Sequence, residues 1–406
     1  MTPLKTLILT LLLAPFAAQF LALPTAAQEL SALARVNPMR SGIVATGSGL
    51  ELRLELSQPV PWRLRLMDNP PRLVIDAREV DWKGAETLAV VKPGVSLRAG
   101  RFRPGWSRMV LELEAPHKVA RAEMSTGEAT RLEIVLEPTD AASFALEAAR
   151  PDLPDWALPE AAQLVPPLPQ GNGPLVVVLD PGHGGIDPGA ERDGVSEATL
   201  MLTFAREVKE VLLRDGRFRV VMTRDEDVFV PLETRTSIAR EAEADLFLSL
   251  HADALAEGDA QGATVYTLAA EASDEAAAAL AERHDRDDLL AGVDLTDQDD
   301  VVAEVLMDMA RTETAPRTDR LAQAMVGAIK AAEIRMHRHP QQSGGFSVLK
   351  TPDIPSVLLE VGFLSSDRDF QRLSDPAWRA TLAEALLQAL VTWSAEDTAL
   401  RAAANP

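Results

Sequence analysis

Residues 175–185 read LVVVLDPGHGG. The five apolar residues that open this stretch indicate a strand buried on both faces, as in parallel sheets covered by helices. The glycines that follow allow a tight turn at the end of the strand. The stretch therefore predicts a parallel strand whose end presents His183 at the edge of a sheet.

Strand and helix patterns alternate after this stretch. A helical pattern covers residues 197–213, and it is followed by further strand patterns. These strand patterns lie at 219–222, 246–250 and 356–359. The alternation predicts an α/β domain with a mostly parallel sheet flanked by helices. We expect this domain at 174–396 and a C-terminal tail at 397–406, with ligands bound at the carboxyl ends of the strands.

Three side chains near the predicted strand ends have the chemistry of zinc ligands. His251 follows one strand, and Glu197 begins the helix after the first strand, so that both return to the edge that holds His183. Alone, each histidine is more often a structural residue, and Glu197 suits a helix N-terminus. Two histidines and one glutamate together form a catalytic zinc set. Such a set leaves one position for water, whose pKa zinc lowers to about 7.

A catalytic carboxylate is predicted at the end of the last strand. Glu360 directly follows the mostly apolar run at 356–359. A carboxylate in that position is usually either held in a salt bridge or used in a reaction. We favour a general base, which takes a proton from water and passes it to the leaving nitrogen.

Two further side chains stay outside the predicted site. Arg235 lies in a helical pattern, where it would either bind a substrate carboxylate or form a surface ion pair. His284 has no motif around it, so it is not counted among the ligands.

A period-two pattern dominates the N-terminal half. Leucines at 50, 52, 54 and 56 alternate with charged residues, which is typical of a half-buried strand. The alternation recurs at 62–66, 109–113 and 132–136. We therefore expect a small all-β domain, a sandwich or a barrel, at 28–138.

The first 27 residues are typical of a secretory signal peptide. Lys5 precedes an apolar run at 7–23, and small residues follow it. A membrane anchor is the alternative, but the run is marginal for spanning a bilayer and Pro15 weakens it. We expect cleavage, export to the periplasm, and no stable membrane span afterwards.

Two other segments depart from these patterns. Prolines dominate residues 139–173, which predicts an extended linker between the two domains, since proline fixes φ and removes a donor. Residues 271–318 are acidic, rich in alanine and helical in pattern, and they interrupt the α/β alternation. This insert is either a solvated helical excursion or a regulatory lid over the site.

Composition excludes several classes of function. The 406 residues are more than one core usually organises. The chain has no cysteine, which rules out disulfides, thiolate catalysis and cysteine-bound metals. A formal net charge of −21 argues against nucleic acid as a partner, because such proteins neutralise phosphates with lysine and arginine.

Four ordered motifs resemble the zinc N-acetylmuramoyl-L-alanine amidase family. They are DPGHGG at 180–185, Glu197, SLHAD at 249–253 and LEVGFLS at 359–365. The resemblance spans residue 174 to about 395, and it implies zinc ligands at His183, Glu197 and His251 with Glu360 as the catalytic base. The β-rich N-terminal half resembles the AMIN module, by which family members localise to the cell envelope.

The acidic insert at 271–318 is similar to the extra helical segment of the cell-division members of that family. In those members a regulatory helix covers the zinc site until an activator with a LytM-type domain displaces it. The resemblance implies an acidic residue of the insert, Glu282 or Asp288, at the open position of the metal.

The expected function is hydrolysis of peptidoglycan. Zinc-activated water would cleave the amide bond between N-acetylmuramic acid and L-alanine of the stem peptide, during cell-wall remodelling and daughter-cell separation. A non-catalytic envelope scaffold or peptidoglycan-binding protein is the alternative, and peptide hydrolysis or deacetylation by the same metal is a third possibility. Deletion of residues 31–138 is expected to impair localisation of the protein more than its catalysis.

Overall fold

The computed structural model describes most of the chain. The described residues are 33–85, 88–90, 96–103, 105–126, 129–150, 173–254, 261–269, 271–290, 301–351 and 353–404. The predicted signal peptide at 1–27 lies outside them, as do residues 151–172 of the predicted linker and 291–300 of the predicted insert.

Two sheets packed face to face form residues 33–148, called the β domain below. Its strands are β1 Ala34–Arg35, β2 Gly42–Thr46, β3 Gly49–Leu56, β4 Trp62–Met67, β5 Arg72–Arg78, β6 Val80–Asp81, β7 Ala89–Val90, β8 Ser96–Arg103, β9 Trp106–Glu112, β10 His117–Thr126 and β11 Thr130–Pro138. One sheet has the order β10-β11-β3-β2-β7 and the other β4-β5-β9-β8, while β1 and β6 pair with each other. The alternating leucines of β3 are buried between the sheets.

A short helix, α1 (Ala141–Ala148), occupies the first part of the range predicted to be an extended linker. Asp140 caps it by accepting a hydrogen bond from the Ser143 amide. Residues 139–150 contain no proline, so the helix can form there, and Phe144 and Ala148 stabilise it by filling the core of the β domain.

Residues 173–404 form an α/β domain. Its strands are β12 Leu175–Pro181, β13 Glu191–Arg192, β14 Val195–Ser196, β15 Phe218–Met222, β16 Leu246–His251, β17 Ala263–Leu268, β18 Met336–Gly344 and β19 Ser356–Glu360. Its helices are α2 Glu197–Asp215, α3 Leu232–Glu241, α4 Glu275–Leu290, α5 Val301–Ala331, α6 Asp367–Ser374 and α7 Pro376–Ala404.

The central sheet has the order β15-β12-β16-β19-β17-β18. Its pairings are parallel except that of β17 with β19, so the sheet is mixed. Both faces are covered: Val177 and Leu179 of β12 pack among α2, α5 and α7, whereas Val178 packs on the other face near α3 and α4. The predicted α/β fold is confirmed, and burial on both faces explains the unbroken apolar run of β12.

Two helices run across boundaries that the sequence pattern suggested. Helix α5 continues through residue 318, the predicted end of the insert, because Leu321 and Met325 in its second half belong to the main core. Helix α7 continues through most of the predicted C-terminal tail, where Asp397 is buried in an ion pair with Arg317. None of the described helices is both long and apolar enough to cross a bilayer.

Candidate metal centre

His183 lies in the turn after β12, with its backbone in the left-handed region at φ 57°. Its side chain is buried, and Nδ1 lies 2.7 Å from Asp187 Oδ2, while Nε2 lies 3.3 Å from Glu197 Oε1. Burial alone would lower the pKa of His183, but the carboxylates of Asp187 and Glu197 raise it well above its usual range. Strained backbone of this kind is common at functional positions.

Glu197 is the first residue of α2, where Ser196 caps the helix. Its Oε1 accepts a hydrogen bond from the Ala252 amide at 2.8 Å and lies 3.2 Å from His251 Nδ1. Burial would raise the pKa of Glu197, yet the neighbouring imidazoles of His183 and His251 hold it well below its usual range. The carboxylate is thus fixed between the two histidines.

His251 and Glu360 end neighbouring strands and are register partners across the β16–β19 pair. Burial and the nearby His284 imidazole lower the pKa of His251 to about 4. Burial, with the carboxylates of Asp253 and Glu197, raises the pKa of Glu360 well above its usual range. Glu360 Oε2 accepts from the Asp253 amide at 3.0 Å, but Oε1 is buried without a hydrogen-bond partner among the described residues.

Two glycines make room for these side chains. A Cβ atom on Gly182 would lie 2.3 Å from His251 Cε1. A Cβ atom on Gly189, at φ +66°, would lie 2.6 Å from His183 Cδ2 and 2.8 Å from Glu197 Oε2. Any other residue at these positions would push the imidazoles and the carboxylate apart.

Two more side chains reach the site. His284, on α4, is buried with Nε2 2.7 Å from Asp253 Oδ2, and its ring stacks on that of His251 with centroids 4.2 Å apart. Arg283 of the same helix also contacts Asp253, at 2.9 Å. Helix α4 therefore lies directly over the strand ends.

The donor atoms are close enough together to hold a metal ion. Three groups have ligand atoms that all lie within 4.8 Å of one another. They are His183, His251 and His284; His183, Glu197 and Asp253; and Asp253, His284 and Glu360. Buried imidazole and carboxylate donors without thiolates suit zinc.

Arg235 is a buried structural residue, so it is neither on the surface nor free to bind substrate. Its guanidinium donates to Asp180 Oδ1 at 2.8 Å and to the backbone carbonyl of His183 at 2.9 Å. Asp180 also accepts from the Thr223 and Ser249 hydroxyls at 2.6 and 2.7 Å. This network braces the turn that carries His183.

The structure brings His183, Glu197, His251 and Glu360 together, as their positions after strands predicted. Sequence reasoning missed Asp187, although it lies only four residues after His183, and gave no role to Asp253, which stands within the SLHAD motif. It also passed over His284. Of the two acidic candidates from the insert, Glu282 is exposed, and the side chain of Asp288 lies outside the described residues.

Comparison with known proteins identifies the family of the chain. The family described as N-acetylmuramoyl-L-alanine amidase matches residues 177–392. N-acetylmuramoyl-L-alanine amidase AmiC of Escherichia coli is 30% identical over 391 residues, covering 92% of this chain and 92% of that protein. AmiC of Neisseria meningitidis is 32% identical over 355 residues, covering 82% of this chain and 84% of that protein. AmiA of Escherichia coli is 36% identical over 230 residues, covering 56% of this chain and 79% of that protein. The chain therefore belongs to the family of N-acetylmuramoyl-L-alanine amidases, hydrolases of the peptidoglycan cell wall.

Proposed function

We propose that His183, Glu197 and His251 hold a zinc ion and that Glu360 is the catalytic base of the amidase reaction. The observation that carries the proposal is the convergence of these buried side chains. Glu197 Oε1 lies 3.3 Å from His183 Nε2 and 3.2 Å from His251 Nδ1. Glu360 is the register partner of His251, and its buried Oε1 has no hydrogen-bond partner among the described residues.

The chemistry of the donors fits zinc. With the proton of His183 Nδ1 donated to Asp187, the lone pair of Nε2 is directed at the shared site. Because the neighbouring carboxylates raise the pKa of His183, a metal at Nε2 would take the place of the proton that this nitrogen carries in the metal-free protein. A bound zinc ion would supply water of lowered pKa and would polarise the scissile carbonyl.

Glu360 supplies the proton transfers. It takes the proton of the attacking water and delivers it to the L-alanine nitrogen as the amide bond breaks. Burial and neighbouring carboxylates raise its pKa, so its protonated form is a usable acid nearer neutrality than that of an exposed glutamate. Its partnerless Oε1 supports the same role, since a buried carboxylate oxygen normally has a donor.

The proposed setting is the periplasm, during cell-wall remodelling and daughter-cell separation. The signal-peptide pattern at 1–27 supports export, and the names of the AmiC and AmiA relatives support the amide between N-acetylmuramic acid and L-alanine as the substrate bond. The β domain is proposed to be AMIN-like and to bind the envelope. We place its end at α1 rather than at residue 138, because α1 packs in its core.

Helix α4 is proposed to be the regulatory element that keeps the enzyme inactive, with a LytM-domain protein as the activator. Contacts made by two residues of α4 support this. His284 lies within hydrogen-bond distance of Asp253 and stacks on His251. Asp285 accepts hydrogen bonds from the Ser347 amide and hydroxyl. These contacts hold the helix over the strand ends, where substrate must approach.

Metal analysis combined with release of stem peptides from peptidoglycan tests the function. The wild-type chain should contain one zinc ion and release stem peptides with a free L-alanine N-terminus. Glu360→Gln should bind zinc and release almost none, while Glu241→Gln, an exposed glutamate on α3, should behave as wild type. Zinc-free wild-type protein with full activity would overturn the metal proposal. Peptidoglycan binding without release in both the wild-type chain and His284→Ala, in which the contacts that hold α4 over the site are removed, would favour the scaffold alternative.

A further inference from the structure

The central strands β5 and β9 of the sheet β4-β5-β9-β8 are buried on both faces. In β5, Leu73 and Ile75 point into the core between the two sheets, as expected. Val74 and Asp76 point to the opposite face, yet each is only 1% exposed. Antiparallel sheets in sandwiches usually keep that face in water. Arg63 and Arg108 of the same sheet pair with Asp76 there, but the apolar Val74 must be covered by another part of the chain.

The α/β domain covers this face next to the metal centre. Ile186 and Phe229 of the α/β domain form one buried apolar cluster with side chains of the sheet. The sheet contributes Met67, Val74, Phe102 and Val110. The rings of Phe102 and Phe229 stack with centroids 6.0 Å apart. Ile186 lies three residues after His183, so the contact involves the turn that carries a proposed ligand.

The two backbones approach closely at this contact. The Ile186 amide donates to the Arg101 carbonyl at 2.9 Å. A Cβ atom on Gly100 would lie 2.6 Å from Ile186 Cα, and one on Gly185 would lie 2.0 Å from the Arg101 carbonyl oxygen. Because the obstructing atoms belong to the backbone, side-chain rotation cannot relieve such a clash. The contact is therefore specific to glycine on both sides.

An arginine of the β domain reaches the partner of a proposed ligand. Arg98 Nη1, on β8, lies 3.8 Å from Asp187 Oδ1. The other oxygen of Asp187 lies 2.7 Å from His183 Nδ1. Asp187 therefore interacts with Arg98 of the β domain through one carboxylate oxygen and with the His183 imidazole through the other.

We infer that the β domain is a fixed part of the metal centre: it docks on residues 184–187, and Arg98 positions Asp187 and through it His183. This inference rests on the proposed zinc site. It makes Arg98 a positioning residue, and it reverses the expectation that loss of residues 31–138 would affect localisation more than catalysis. Amidase activity should depend on a docked β domain.

A wedge at the interface tests docking in the full-length chain. Gly100→Val places a side chain against the backbone of Ile186, and a β-branched residue suits a strand, so the β domain should still fold. Gly173→Val is the control, since its Cβ meets nothing within 4 Å. Hydrogen exchange of the Ile186 amide reports docking, whether or not metal binds.

We expect Gly100→Val to speed exchange at Ile186 by tenfold or more and to weaken zinc binding about tenfold, the usual cost of disturbing the partner of a metal-bound histidine. Arg98→Ala should weaken zinc binding about threefold to tenfold with docking intact, because the contact is long and the side chain is 32% exposed. Arg98→Lys should recover part of this loss. Arg121→Ala, which removes an exposed arginine of β10, should change neither quantity.

The outcomes separate docking from positioning. Unchanged exchange at Ile186 in Gly100→Val overturns docking. Positioning is overturned if zinc affinity is unaltered both in Arg98→Ala and in a Gly100→Val variant whose Ile186 amide exchanges faster. A wild-type chain that binds no zinc defeats the proposed metal site instead, and the exchange measurement still decides whether the domains dock.

Discussion

Side chains reach the metal centre from two regions, the ends of the sheet strands and helix α4. His251 and Glu360 are register partners on neighbouring parallel strands, so the hydrogen-bonding pattern of the sheet fixes their separation. His284 arrives on a helix that is held by packing and a few polar contacts. The first region can be disturbed only by breaking the sheet, whereas the second can withdraw as a unit. We therefore expect substitutions in the first to abolish the reaction and substitutions in the second to tune it.

The largest effect is expected from loss of a ligand in the first region. His251→Ala should eliminate zinc from the purified protein and lower stem-peptide release by about 10³-fold or more, since metal activation supplies several kcal/mol. His339→Ala, which removes an exposed histidine of β18, is the control. Zinc retained at full occupancy in His251→Ala would show that another set of donors holds the ion.

The next effect concerns Glu360. Glu360→Gln should retain zinc and lose about 10²- to 10⁴-fold in rate, the usual contribution of a positioned acid or base. Burial raises the pKa of this carboxyl, and the base form is the ionised one, so the wild-type rate should fall as the pH drops through a range above that of an exposed glutamate. The variant's residual rate should lack this acid limb. An identical acid limb in the variant would assign it to another group.

A smaller effect is expected at Asp187, the hydrogen-bond partner of the proposed ligand His183. Asp187→Asn keeps the size of the side chain and an acceptor for Nδ1 but removes the charge, so zinc affinity should fall about tenfold. Competition with a chelator of known affinity measures it. Asp193→Asn, at an exposed turn nearby, should leave the affinity unaltered. Equal affinities in the two variants would mean that Asp187 does not act on the site.

The smallest effect, and the only gain, is expected on helix α4. His284→Ala removes the contacts to Asp253 and His251, so α4 should leave the site more often and activity without an activator should rise up to about tenfold. Glu282→Ala, an exposed position two residues earlier, should have no effect. A fall in activity in His284→Ala would place this imidazole in the reaction and remove α4 from regulation.

The strand-end residues were predictable because chain-local patterns determine them. An apolar run, a glycine turn and a histidine identify His183, and parallel strands bring their carboxyl ends to one edge regardless of the loops between them. The start of α2 at Glu197 follows from its Ser196 cap in the same local way.

The remaining features depend on contacts between distant parts of the chain. Nothing around His284 distinguishes it from a solvated histidine, because its role comes from the packing of Ala277 and Leu280 that brings α4 against the sheet. Helix α1 is an exception, because residues 139–150 contain no proline and Asp140 before an alanine-rich run is a local helix signal that the predicted linker overlooked. Burial of the second face of β5 has a local signal in the apolar run Leu73-Val74-Ile75, but the run does not identify Ile186 and Phe229 as the residues that cover it.

The Asp180 network has a consequence for how the enzyme matures. Arg235 ties Asp180 to the His183 carbonyl, and these bonds require no ion. Zinc sites that depend on the metal for folding must be loaded as the chain folds. Here the turn is braced in advance, so the chain can fold first and take up its metal last.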